Sequence, residues 1–150
     1  MQEGKKVILS IKGTQVNPMG EDNKIELITE GRLYKKDNAY YIEYEESTIS
    51  GLEDTKTLLV VEDNRVSLER TGAHESRFVF EKGRKYVSYY ETPFGSLEMG
   101  VFPTKIDFNM DETQGKVDLK YQLDISGRYA GLNELMVSYQ EDAPQGLFKF

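Results

Sequence analysis

The sequence contains no cysteine, no tryptophan and a single histidine, His74, and each scarcity removes a class of chemistry. Without cysteine there is no disulfide staple, no thiolate nucleophile and no cysteine-ligated zinc or iron–sulfur centre, so stability must come from packing, as suits a reducing compartment. With one imidazole, a histidine triad or multi-histidine metal site would have to be built around His74 alone, and Thr71-Gly72-Ala73-His74-Glu75 reads as an exposed turn. Long apolar runs are also missing. Val7-Ile8-Leu9-Ser10-Ile11 is far short of a signal-peptide apolar region or of the ~20 residues of a membrane span. Positive charge is in deficit as well: 19 Lys and Arg against 26 Asp and Glu leave a net charge of −7, with no basic face for a phosphate backbone. These absences point to a cytoplasmic protein that binds neither nucleic acid nor membrane.

What is present is strand patterning. A chain of 150 residues, 38% of them hydrophobic, can bury one sizeable core, and we expect a single domain over residues 1–142 followed by a tail at 143–150. From Val117 to Ile125, Val117, Leu119, Tyr121, Leu123 and Ile125 share one face while Asp118, Lys120, Gln122 and Asp124 share the other. The same period of two runs through Ile106, Phe108 and Met110, and through Tyr40, Ile42 and Tyr44. Such alternation marks antiparallel sheets with one face on the core and one in water.

Turn residues sit where the alternation breaks. A two-residue turn at Asp63-Asn64 sets Glu62 opposite Arg65, Val61 opposite Val66 and Leu59 opposite Leu68. Lys36-Asp37-Asn38 and Lys82-Gly83 are placed to make further hairpins. Around Glu112-Thr113-Gln114-Gly115, with Gly115 in the left-handed region, the expected pairs are Met110 with Val117, Phe108 with Leu119 and Ile106 with Tyr121. About ten strands result. Pro103 either separates two of them or bends one, and Leu132, Leu135 and Met136 would also suit a short helix over 129–137. A meander of this length must hide its edges, so the expected fold is all-β, an antiparallel up-and-down barrel of about 8–10 strands, fully closed. Gly31 and Gly51 are candidates for the bulges or bends that closure demands.

Few motifs carry chemistry. Asp107-x-Asn109-x-Asp111 resembles the start of a calcium loop, but Glu112 stands where glycine is needed and no glutamate follows at the twelfth position, so no metal site is expected. Glu43, Glu45 and Glu46 read as an acidic outer face. Thr92-Pro93-Phe94-Gly95 reads as a turn. Ten tyrosines and seven phenylalanines are more informative, because amphipathic rings can line a pocket while their hydroxyls find partners. Tyr40, Tyr44, Tyr86, Tyr90 and Tyr121 fall on inward faces. Arg70 shares the face of Val66 and Leu68, which puts its guanidinium at the barrel mouth or beside a buried acid.

The ordered set Gly31, Tyr44-Glu45-Glu46-Ser47, Gly51, Thr55-x-Thr57, Arg70-x-Gly72, Tyr90-x-Thr92-Pro93-x-Gly95, Gly115 and Tyr121-x-Leu123 resembles the YwiB-like bacterial family. The resemblance spans nearly the whole chain and implies a calycin-like, lipocalin-related barrel without supplying catalytic residues or a cofactor. The lipocalin glycine-x-tryptophan motif is absent. Three functional readings follow, in order. The first is a small-molecule-binding barrel whose candidate ligand-binding residues are Arg70, Tyr44, Tyr90, Thr92 and Tyr121. The second is a filled barrel serving as a protein-interaction or structural module, with a homodimer as one form. The third, a hydrolase or isomerase using Tyr, Glu or His74, ranks last because no nucleophile–base pair can be placed.

Overall fold

The period-two faces carry directly into the backbone. The computed structural model describes residues 4–46, 53–73 and 75–142; His74, Gly51 and the expected tail lie outside them. Among the described residues ten strands and no helix form: β1 (Lys5–Val16), β2 (Asp22–Lys36), β3 (Ala39–Glu45), β4 (Thr55–Glu62), β5 (Arg65–Gly72), β6 (Ser76–Glu81), β7 (Tyr86–Thr92), β8 (Gly95–Met110), β9 (Gln114–Ile125) and β10 (Arg128–Glu141). No helix among these residues is long and apolar enough to cross a membrane.

All ten strands belong to one antiparallel sheet ordered β6-β5-β4-β3-β2-β1-β10-β9-β8-β7. Apart from β1 and β10, each pair of neighbours is consecutive in the chain, so the sheet is an up-and-down meander. The first and last strands pair from Val7↔Glu141 to Val16↔Leu132. The seam of the barrel therefore falls between β6 and β7 rather than between the chain's two ends. There the ladder is replaced by one isolated bridge, Glu81↔Arg84, and by Phe78 and Tyr90, whose rings meet edge to face at 6.2 Å. The expected full closure thus becomes near closure: side-chain packing, with β6 also lying against β8, does what hydrogen bonds do elsewhere.

The Asp63-Asn64 hairpin has the expected register, with Glu62↔Arg65, Val61↔Val66 and Leu59↔Leu68. The β8–β9 hairpin does not. It pairs Met110↔Gly115, Phe108↔Val117 and Ile106↔Leu119, a shift of two residues that leaves each face intact. The turn is tighter than expected because the Asp111 carboxylate accepts hydrogen bonds from the Thr113 and Gln114 amides, at 2.8 and 2.9 Å, and from the Thr113 hydroxyl. Asp107 now opposes Asp118, and Lys105 answers by donating to Asp118 at 2.7 Å. Gly115 is not left-handed; the Tyr139 ring covers it, and a Cβ there would sit 2.5 Å from that ring.

Three other expectations are revised or resolved. The β1–β2 ladder runs unbroken through Gly31 and the β2–β3 ladder ends at Gly31↔Tyr44, neither with a register shift there, so it marks no bulge; a Cβ there would lie 2.5 Å from Leu9 and 2.7 Å from the Glu43 carbonyl oxygen. Residues 104–110 continue the strand before Pro103 as one bent β8, with a register shift between Pro103 and Lys105 where proline cannot donate. Residues 129–137 are strand, since β1 and β9 both pair with β10 and override the helical spacing.

The interior divides into two halves. Phe80, Leu9, Ile42, Leu59, Leu119, Val7, Val66, Val101, Val117 and Val137 are fully buried and fill the end that holds the β2–β3, β4–β5, β6–β7 and β8–β9 turns. Burying a side chain of this kind is worth about 1.5–3 kcal/mol, so this end is the stabilising one. Toward the opposite end the inward positions become polar.

Candidate functional site at the polar end of the barrel

Adjacent strands set one inward row: Tyr44 pairs with Thr57, Thr57 with Arg70 and Arg70 with Ser76. Two residues beyond Tyr44 on the same face, Glu46 continues the edge, its amide donating to the Thr55 carbonyl at 2.8 Å. The Glu46 side chain is only 4% exposed and Arg70 21%, with Arg70 Nε 3.7 Å from Glu46 Oε2. That distance is a charge contact, too long for a hydrogen bond. The carboxylate oxygen instead accepts from the Thr57 hydroxyl at 2.5 Å.

The phenols around this pair stay protonated. Burial pushes Tyr44 well above its ordinary value, the Glu46 carboxylate reinforces the shift and Arg70 opposes it. Burial also raises Tyr121, against the field of Arg70 and the nearby Asn133 side chain. Tyr121, on the far wall of the barrel, thus lies within the field of Arg70. A chain of rings leads on from it: Tyr121 to Phe80 at 4.9 Å, Phe80 to Phe78 at 6.5 Å and Phe78 to Tyr90 at 6.2 Å. Three buried polar atoms on these inward faces have no hydrogen-bond partner: Arg70 Nε, the Ser88 hydroxyl and the Tyr90 hydroxyl.

Asn133 connects the cluster to solvent. With Gln15, Asn23, Leu123 and Ala130 it lines a depression of about 370 Å³, with Glu21 and Asp22 also at its edge. Larger depressions, about 580 and 610 Å³, lie on the outer wall. Size does not recommend them: the first is floored by Ser10 and Ser138, and the second is bordered by Lys6 and Glu30, which already pair at 3.3 Å.

Residues 9–137 match the family described as a domain of unknown function, DUF1934. The chain belongs to that family. Among DUF1934-like relatives, the uncharacterized β-barrel protein YwiB of Bacillus subtilis (strain 168) is 26% identical over 140 residues, covering 93% of this chain and 96% of the relative. The crystal structure of ywiB protein from Bacillus subtilis superimposes with a TM-score of 0.82 at 26% identity, covering 95% of this chain and 96% of that one. The DUF1934 barrel is therefore the fold of this chain.

Arg70, Tyr44 and Tyr121 of the sequence-derived set come together, and Tyr90 joins them through Phe78. Thr92 ends β7, its backbone paired with Gly95. Glu46 overturns the reading of an outer acidic face, because its side chain is buried beside Arg70. Its spacing of two from Tyr44 carried that information. Thr57 shares the face of Leu59 and Val61, which carried the same signal, whereas Gln15, Asn23 and Asn133 had none, since isolated polar residues near strand ends are ordinarily solvated.

Proposed function

We propose that this protein binds a small molecule at the polar end of the barrel. The carrying observation is the set of buried atoms without partners, Arg70 Nε and the Ser88 and Tyr90 hydroxyls, since leaving such a group unsatisfied costs about 1–3 kcal/mol. Tyr121, which feels the field of Arg70, also lies beside Asn133, one of the residues lining the depression of about 370 Å³ at the mouth, so a molecule held there sits next to this polar cluster. The calycin-like resemblance supports the same reading, and the absence of cysteine supports a cytoplasmic location.

The test is a screen of small polar compounds by amide NMR and thermal denaturation. Binding shifts the amides around Tyr44, Arg70, Tyr121 and Asn133 and raises the melting temperature, and Arg70→Met abolishes both effects. If no compound moves those amides, the reading falls in favour of a structural or protein-interaction barrel, which the fully packed opposite end suits.

A further inference from the structure

Buried polar side-chain atoms without a partner are not scattered over the ten strands. Among the described residues they are Arg70 Nε, the Ser88 and Tyr90 hydroxyls and Asp118 Oδ1. Asp118 has its other oxygen on Lys105 at 2.7 Å; the remaining three gather at the seam. Ser88 and Tyr90 lie on β7, which forms one lip of it, and Arg70 pairs with Ser76 of β6, the other lip. The depression at the mouth does not reach them, because its walls come from β1, β2, β9, β10 and the β1–β2 turn. A buried donor or acceptor left unpaired is better off in water. The closed seam is therefore disfavoured at the place where no ladder holds it shut.

Closure of the seam is also graded along its length. At the turn end the Glu81↔Arg84 bridge holds, Gly83 turns the chain at a φ of 77°, and fully buried Phe80 packs on Tyr121 at 4.9 Å. Two residues toward the polar end, the contact is Phe78 against Tyr90 at 6.2 Å, and both rings are only half-buried. Parting them wets two rings that water already touches, and it hydrates the unpaired hydroxyls in exchange. It breaks no ladder, since β6 keeps its pairing with β5 and β7 keeps its pairing with β8. Parting any other two neighbours would break one. We infer that the β6–β7 seam is a side gate into the barrel, hinged at the Lys82-Gly83 turn and opening from its polar end as Phe78 and Tyr90 separate. The gate stands apart from the small-molecule reading above. Water alone satisfies the groups it exposes, and it reaches the Arg70–Glu46 pair without passing the mouth.

The full chain has no cysteine, so one introduced thiol can be followed alone. Ser88→Cys places it at the seam. Val137→Cys is the control, at a position 1% exposed on β10, which is laddered on both sides. Each variant is labelled with iodoacetamide, followed by intact mass, at increasing urea below the unfolding transition. Relative to its own unfolded chain, Ser88→Cys should react at least about a hundredfold faster than Val137→Cys. Its rate should rise with urea, less steeply than the control's, because opening the gate exposes less surface than unfolding does. Adding Tyr90→Phe, which deletes one unpartnered hydroxyl, should slow the Ser88→Cys reaction about tenfold. Equal rates and equal urea dependence at the two positions would overturn the gate, since Ser88 would then be reached only by global unfolding. A fast reaction indifferent to urea would overturn it too, since the thiol would stand permanently open. If Tyr90→Phe leaves the rate unchanged or raises it, unpaired hydroxyls do not favour opening and the inference falls.

Discussion

Arg70 faces Glu46 across the polar end of the barrel at 3.7 Å, yet the carboxylate oxygen nearest to it accepts its hydrogen bond from Thr57. The arginine is neutralised without being hydrogen-bonded at Nε. A charge pair built this way stabilises through proximity while leaving a donor available, and the two partners are not buried equally.

That inequality orders the effects of substitution. Arg70→Met strands Glu46, the more buried partner at 4% exposure, and should cost about 3 kcal/mol. Glu46→Gln strands the partly solvated Arg70 and should cost less, about 1–2 kcal/mol. The double variant should be more stable than the sum of the two losses predicts. Urea unfolding of the four proteins measures this, and strict additivity would show that the contact carries no coupling.

Gly115 makes room for a ring. A methyl group there would lie 2.5 Å from Tyr139, whose hydroxyl donates to the Asp111 carbonyl at 2.5 Å and so ties β10 to the β8–β9 turn. Gly115→Ala should cost about 1–3 kcal/mol through overpacking. Gly115→Ala combined with Tyr139→Leu should cost less than the two separate losses. A lowered denaturation midpoint at unchanged denaturant dependence is the readout.

Tyrosine ionisation should report the buried end directly. Burial first, then Glu46, raises Tyr44, and burial raises Tyr121, so folding favours their protonated forms. The stability this provides is fully present below the ordinary phenol value of 10.0 and is lost as pH climbs from there through the raised folded values. In an ultraviolet absorbance titration, exposed tyrosines should ionise first and Tyr44 only with alkaline unfolding. Tyr44→Phe should remove part of the late step; an unchanged late step would place Tyr44 among the freely titrating phenols.

The seam should be the weak line in hydrogen exchange. Amides of β6 and β7 that point toward one another have no ladder partner; the one bridge, the Arg84 amide donating to the Glu81 carbonyl at 3.1 Å, lies at the turn that joins them. They should exchange faster than the amides of β1, which pairs on both sides with β2 and β10. Equal protection across the seam and the β1 ladders would mean that the barrel closes fully in solution.

Strand faces were legible from residue order alone. Period-two alternation put Val117, Leu119 and Tyr121 inward, and an Asp63-Asn64 turn between matched residues set the β4–β5 register, because both depend on neighbours in the chain. Arg70, Tyr44 and Tyr121 were legible for the same reason, since each shares a face with core residues. Alternation cannot distinguish registers two residues apart, as both keep every face. Only the folded molecule decided between them, through Asp111 tightening the β8–β9 turn and Tyr139 lying over Gly115. It also decided where the barrel stays unladdered, and that Glu46 turns inward to meet Arg70. Those outcomes rest on contacts between distant strands, whose energies no local pattern contains.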